Sequence, residues 1–148
     1  MANTRPINEY LAYLLAQAER QLNRQLDQEF RAEGVPVEQW RILKLLAEES
    51  GRSMGDLAEA ALLNHPTLTK TIDRMISAAL VYRRADKSDG RRVLIFISEH
   101  GRAVIQRLNR LANSHQDEIV ESYGNRQAEE LKRLIEGLIQ RTQVPLPR

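Results

Sequence analysis

No cysteine occurs among the 148 residues, which excludes disulfides, thiolate zinc sites and thiol-based redox sensing. No apolar run approaches the length of a membrane span, and no basic segment followed by a hydrophobic one opens the chain, so a cytoplasmic protein with no membrane partner is expected. The three histidines, His65, His100 and His115, stand far apart with no His-x-x-x-His pair, which argues against a metal site. They read as a DNA contact, a helix-start residue and a surface residue. No nucleophile with its base, glycine-rich phosphate loop or cofactor box is present. Catalytic residues, metals and cofactors are therefore not expected, and neither is an enzyme. Internal repeats and low-complexity stretches are absent as well. Even charge of one sign is scarce: a formal net charge of +2 does not by itself argue for nucleic acid.

What is present is a chain with 42% hydrophobic and 28% charged residues, enough for one globular domain, 1–148, with a real core. The pattern is mainly α. Its organising stretch runs from Ser53 to Leu80. Ser53 followed by Asp56 has the form of a capping box, in which the hydroxyl accepts from a free backbone N–H and the carboxylate reaches back. Leu57, Ala58, Ala61 and Leu62 give the helix that follows one apolar side. Asn64 or His65 can cap a second helix that tolerates Pro66 in its first turn. Leu68, Ile72, Met75, Ile76 and Leu80 then form a helical stripe, while Thr67, Thr69, Lys70, Thr71 and Arg74 offer hydroxyls and cations on the other side. This is a helix-turn-helix layout. Asp56 and Asp73, on helices beside a cap and beside Arg74, read as members of structural pairs.

The segment after it concentrates charge. Arg83, Arg84, Lys87, Arg91 and Arg92 stand against only Asp86 and Asp89, and the Asp89-Gly90 pair between β-prone runs is a hairpin signal, because glycine tolerates the positive φ such turns use. A basic β-wing is expected, able to reach a phosphate backbone or a minor groove. Toward the N-terminus, Ile7, Leu11, Leu14, Leu15, Ala18, Leu22 and Leu26 form one stripe on a helix predicted from Ile7 to Phe30. The turn Glu33-Gly34-Val35-Pro36 ends it, a buried helix follows over Val37–Glu48, and Glu49-Ser50-Gly51-Arg52 is a loop with room for a very short strand. Beyond the wing, Ser98 can cap a long helix with Val104, Ile105, Leu108, Leu111, Ile119, Val120 and Tyr123 inward. It breaks near Gly124-Asn125, and a last helix over Arg126–Gln140 precedes the tail Val144-Pro145-Leu146-Pro147-Arg148. Apolar stripes at both ends of one chain suggest pairing with a second copy.

These motifs together resemble the MarR family of winged helix-turn-helix transcriptional regulators. The matching residues are Leu57-Ala58, Thr69-Lys70-Thr71-Ile72-Asp73-Arg74-Met75, Asp89-Gly90-Arg91-Arg92 and Ile97-Ser98-Glu99-His100-Gly101. The chain departs from the family pattern at Ala79, where glycine is usual before the exit from the recognition helix, a mild change. It departs again at Asn64-His65-Pro66, where serine-rich versions are commoner. The resemblance implies a homodimeric repressor on a pseudo-palindromic double-stranded operator. Helices 7–30 and 99–142 would dimerise, and 37–98 would form the winged helix-turn-helix. Asn64, His65, Thr67, Thr69, Lys70, Arg74, Arg83, Arg84, Lys87, Asp89, Arg91 and Arg92 would contact DNA, with Asp89 holding Arg91. It also implies release by a small anionic aromatic compound. Tyr13, Gln17, Arg20 and Arg24 share one side of the first helix opposite the apolar stripe; with Trp40 they could hold an aryl carboxylate or its thioester. Other readings stay open. Arg20 and Arg24 can equally be solvated with Trp40 in the core, the regulator can lack an effector, and a winged helix can serve as a protein-interaction or architectural module.

Overall fold

A computed structural model describes residues 4–145; the last part of the proline-containing tail, 146–148, lies outside the described residues. The helices are α1 (Leu11–Phe30), α2 (Val37–Glu48), α3 (Met54–Ala61), α4 (His65–Ser77), α5 (Glu99–Tyr123) and α6 (Asn125–Arg141). The strands are β1 (Arg52–Ser53), β2 (Val81–Ala85) and β3 (Val93–Ile97), which form an antiparallel sheet in the order β1-β3-β2. Residues up to Ala112 make one compact unit and residues from Asn113 a second, the boundary falling inside α5.

The core belongs to the first unit. Ile42, Leu43 and Leu46 of α2, Leu57 and Ala61 of α3, Leu68, Ile72 and Met75 of α4, Ile95 of β3 and Leu108 of α5 are fully buried together with Phe30. Each comes from the apolar side of its element, and this burial is what holds α4 in place. Local chemistry sets the boundaries. Ser53 Oγ accepts from the Asp56 N–H at 3.2 Å, Asn64 Oδ1 accepts from the Thr67 N–H at 2.9 Å, and Ser98 Oγ accepts from the Gly101 N–H at 2.9 Å; each satisfies a donor that the first helical turn leaves open. Gly34 ends the first helical segment at φ +67°, a conformation that suits glycine. The Val37 N–H donates to Asp27 Oδ1 at 2.9 Å and Arg41 donates to the Ala61 carbonyl at 3.1 Å, so α2 is tied to α1 and to the C-terminus of α3.

Several expectations need correction. The first helix is not continuous from Ile7: a 3₁₀ turn over Ile7–Glu9 ends at Tyr10 in extended conformation, and α1 starts afterwards. Leu62 does not join the apolar side of α3. It is 76% exposed at φ +61°, in the left-handed position that closes the helix. Thr71 is buried, with its hydroxyl donating to the Thr67 carbonyl at 2.8 Å, and His115 is buried rather than on the surface. Ala79, the mild departure, sits at φ +60°, so the missing glycine has a backbone cost.

The terminal stripes stay uncovered. Ile7, Leu11, Leu14, Leu15 and Leu22 are exposed, Ile7 and Leu11 each to 63%. In the second unit Tyr123, Leu131, Leu134 and Ile139 are exposed, while Ile119, Val120, Ala128, Ile135 and Leu138 are half-buried.

Candidate nucleic-acid interface

Helix α4 is amphipathic, and burial of Leu68, Thr71, Ile72 and Met75 leaves Thr67, Thr69, Lys70 and Arg74 exposed. At its N-terminus Asn64 acts as cap, so its carbonyl oxygen is engaged and its amide N–H groups are left for a partner. His65 and Pro66 open the first turn, exposed. The wing follows directly, β2 pairing with β3 from Val81 opposite Ile97 to Ala85 opposite Val93.

The hairpin tip turns at Gly90, the Arg92 N–H donating to the Asp89 carbonyl at 3.0 Å, but not through glycine's left-handed freedom. Gly90 is not among the residues with positive φ. Instead Asp86 Oδ1 accepts from the Ser88 N–H and hydroxyl at 3.0 and 2.8 Å, Asp89 Oδ1 accepts from the Arg91 N–H at 3.1 Å, and the Asp86 N–H donates to the Arg92 carbonyl at 2.8 Å. These aspartate turns close the loop without a left-handed residue. Ser88's N–H and hydroxyl, with a smaller contribution from the Arg92 charge, hold the Asp86 carboxyl below the usual carboxylate range. Asp89 therefore grips the backbone of Arg91, not its guanidinium as the resemblance implied.

The wing cations sort into three states. Arg83 forms a short, charge-assisted bond with Asp73 of α4, and Arg92 lies 3.7 Å from Asp56 of α3. These two pairs join the wing to both helices of the helix-turn-helix. The Asp56 carboxylate thus faces the wing instead of completing the capping box. Arg84 lies over the rings of Tyr82 and Phe96, 5.5 and 5.9 Å from their centroids, and the two rings stack at 5.4 Å. Lys87 and Arg91, at the exposed tip, have no carboxylate partner among the described residues. All the residues expected to touch DNA are exposed, and α4 and the wing are brought together in one unit.

The residues on the other side of α1 also gather. Tyr13, Ala16, Gln17, Arg20, Gln21 and Arg24 line a hollow of about 370 Å³. Neither arginine has a carboxylate partner among the described residues. Trp40 is not among the lining residues; its ring packs against Phe30 at 5.7 Å between centroids, with Nε1 buried and unpaired among the described residues.

Comparison with known proteins places this arrangement. A sequence model described as MarR family matches residues 33–92, from the end of the first helical segment through the wing tip. The HTH-type transcriptional regulator FarR of Neisseria gonorrhoeae is 31% identical over 124 residues, covering 84% of this chain and 85% of that one. The chain belongs to the MarR family. The homoprotocatechuate degradative operon repressor of Escherichia coli is 29% identical over 102 residues, 69% of each chain. The crystal structure of NadR in complex with 4-hydroxyphenylacetate superposes with a TM-score of 0.74 at 29% identity, covering 93% of this chain and 95% of that one.

For this MarR-family chain, reading the sequence missed the aromatic pair that holds Arg84. The signal was available: Tyr82 and Arg84 alternate on one face of β2, and Phe96 is the cross-strand partner of Tyr82. The partners of Arg83 and Arg92 were not legible, because Asp73 and Asp56 reach them only through tertiary packing.

Proposed function

We propose that this chain is a homodimeric, sequence-specific DNA-binding transcriptional repressor. In this reading α4 enters the major groove, with Thr67, Thr69 and Lys70 near its start reaching base edges, and the wing tip reaches the adjoining minor groove through Arg91. The observation that carries it is the pair of ionic ties, Asp73 to Arg83 and Asp56 to Arg92, which dock the wing on the helix-turn-helix and leave Lys87 and Arg91 outward. That leaves unpaired cations at the end of a hairpin joined to both helices, as a phosphate-binding hairpin needs. The uncovered apolar stripes of residues 7–30 and 99–142 support dimerisation, since leaving them wet costs about 25 cal/mol for each Å². Residues 37–98 form the DNA-binding part.

The hollow beside α1 supports control by a small molecule. Its size suits a small ligand, and Arg20 and Arg24 can clamp a carboxylate through paired hydrogen bonds while Tyr13 packs on a ring. The effector class is an aryl carboxylate or its thioester, consistent with the 4-hydroxyphenylacetate complex of NadR. Such a ligand releases DNA by binding more tightly to a state whose recognition helices are wrongly spaced. The test is selection of bound duplexes from a random pool. A pseudo-palindromic consensus is expected; a pool that shows no enriched sequence would refute the proposal.

A further inference from the structure

The threonines of α4 are in different chemical states. The Thr67 hydroxyl has no hydrogen-bond partner among the described residues, whereas the Thr69 hydroxyl donates to the His65 carbonyl one turn back at 2.9 Å. Thr71 makes the same bond to Thr67 and is buried, so its hydroxyl serves the fold. Thr69 is exposed on the side of the helix that carries Lys70. A hydroxyl has one proton to give. In Thr69 that proton is engaged, and the bond turns Oγ1 back against the helix backbone, so the group left to project from this side chain is its γ-methyl.

The major groove edge of the bases presents one apolar group, the C5-methyl of thymine. We propose that Thr69 reads a thymine through contact between these two methyl groups, so that this helix position selects an A·T pair without a hydrogen bond. The inference rests on the DNA-binding reading above and adds the atom that does the reading. It separates two neighbours: Thr67 with its unengaged hydroxyl can donate to or accept from a base or phosphate, while Thr69 selects by apolar fit.

The experiment uses the full chain and the duplex obtained by selection. Each thymine is replaced in turn by uracil, which removes only the methyl group, and affinities are measured by fluorescence anisotropy for wild type, Thr69→Val and Thr69→Ser. Valine keeps the methyl and loses the hydroxyl; serine does the reverse. At one thymine per half-site, wild type and Thr69→Val should each bind uracil about fourfold more weakly, the worth of one buried methyl group. Thr69→Ser should bind the thymine and uracil duplexes equally there. The proposal is overturned if wild type is indifferent to uracil everywhere, if Thr69→Ser discriminates as wild type does, or if Thr69→Val loses the discrimination. Each of those outcomes leaves the DNA-binding reading standing. A selection that enriches no sequence overturns that reading and this inference with it.

Discussion

The junction where α4 hands over to β2 and to the start of α5 is tight enough that two substitutions there should act with opposite sign. A Cβ added at Gly101 would lie 2.2 Å from the Leu80 carbonyl oxygen and 2.9 Å from Ile97 Cγ1. That carbonyl accepts from the Ser98 N–H at 3.0 Å, while the Ser98 hydroxyl, also 3.0 Å away, lies closer to the Ala79 carbonyl, at 2.6 Å. Gly101→Ala must push α5 from Leu80, adding an overpacking cost of about 1–3 kcal/mol and weakening the Ser98 N–H bond to the Leu80 carbonyl, worth roughly 1 kcal/mol. A loss of about 3 kcal/mol follows, which lowers the melting temperature by roughly 6–12 °C for a chain of this size. Ala79→Gly works the other way. It removes a left-handed alanine, a cost of about 1–2 kcal/mol, against about 0.4–1 kcal/mol of added freedom in the unfolded chain. The net gain is about 0.5–1 kcal/mol, a rise of roughly 1–4 °C. Thermal melts followed by circular dichroism at one protein concentration decide it, since oligomer stability depends on concentration. If Gly101→Ala melted with wild type, or Ala79→Gly melted lower, the packing described for this junction would be wrong.

Arg91→Ala should weaken binding to all duplexes and reduce the salt slope by about 0.9, because one phosphate is no longer neutralised; unchanged affinity and slope would refute the assignment of the wing tip. Deleting residues 128–148 removes the exposed stripe of α6 and should abolish the dimer together with DNA binding, so a truncated chain that sediments as a dimer contradicts the proposed interface. Calorimetry with a panel of aryl carboxylates should show binding to wild type that Arg20→Ala loses; equal heats for both proteins rule the hollow out. Because the folded pKa of Asp86 lies below its unfolded value, its support of the wing tip is complete above about pH 4 and disappears as pH falls through the lowered value. The Ser88 amide resonance should therefore titrate with a midpoint below the ordinary carboxylate value of 3.8, and a midpoint at or above that value would show that the turn does not hold the carboxylate.

How much of this was legible from the residues depended on the range of the forces involved. Ser53, Asn64 and Ser98 could be named as caps because a cap acts within three residues of itself, and each makes the expected bond. The bounds of α2 matched Val37–Glu48 because Pro36 and the polar run after Glu48 delimit it. Periodicity showed which side of the first helix is apolar, but it is blind to continuity, so the break at Tyr10 was missed. The Asp89-Gly90 turn forms, with the Arg92 N–H donating to the Asp89 carbonyl at 3.0 Å, but two aspartates satisfy the loop's N–H groups and leave glycine's freedom unused. The functional surface divides in the same way. The side of α4 that faces outward followed from the spacing of Leu68, Ile72 and Met75. The pairing of Arg83 with Asp73, the stacking of Arg84 and the burial of His115 are tertiary results that no local pattern reports.

The most direct measurement is the affinity of the wild-type protein for its selected duplex and for a scrambled duplex of equal length and composition, each determined across a range of salt concentrations. Site-specific binding through α4 and the wing requires the selected duplex to bind at least about 10³-fold more tightly at physiological salt, with both affinities falling as salt rises. Equal affinity for the two duplexes would contradict a sequence-reading regulator and leave a winged helix that serves another partner.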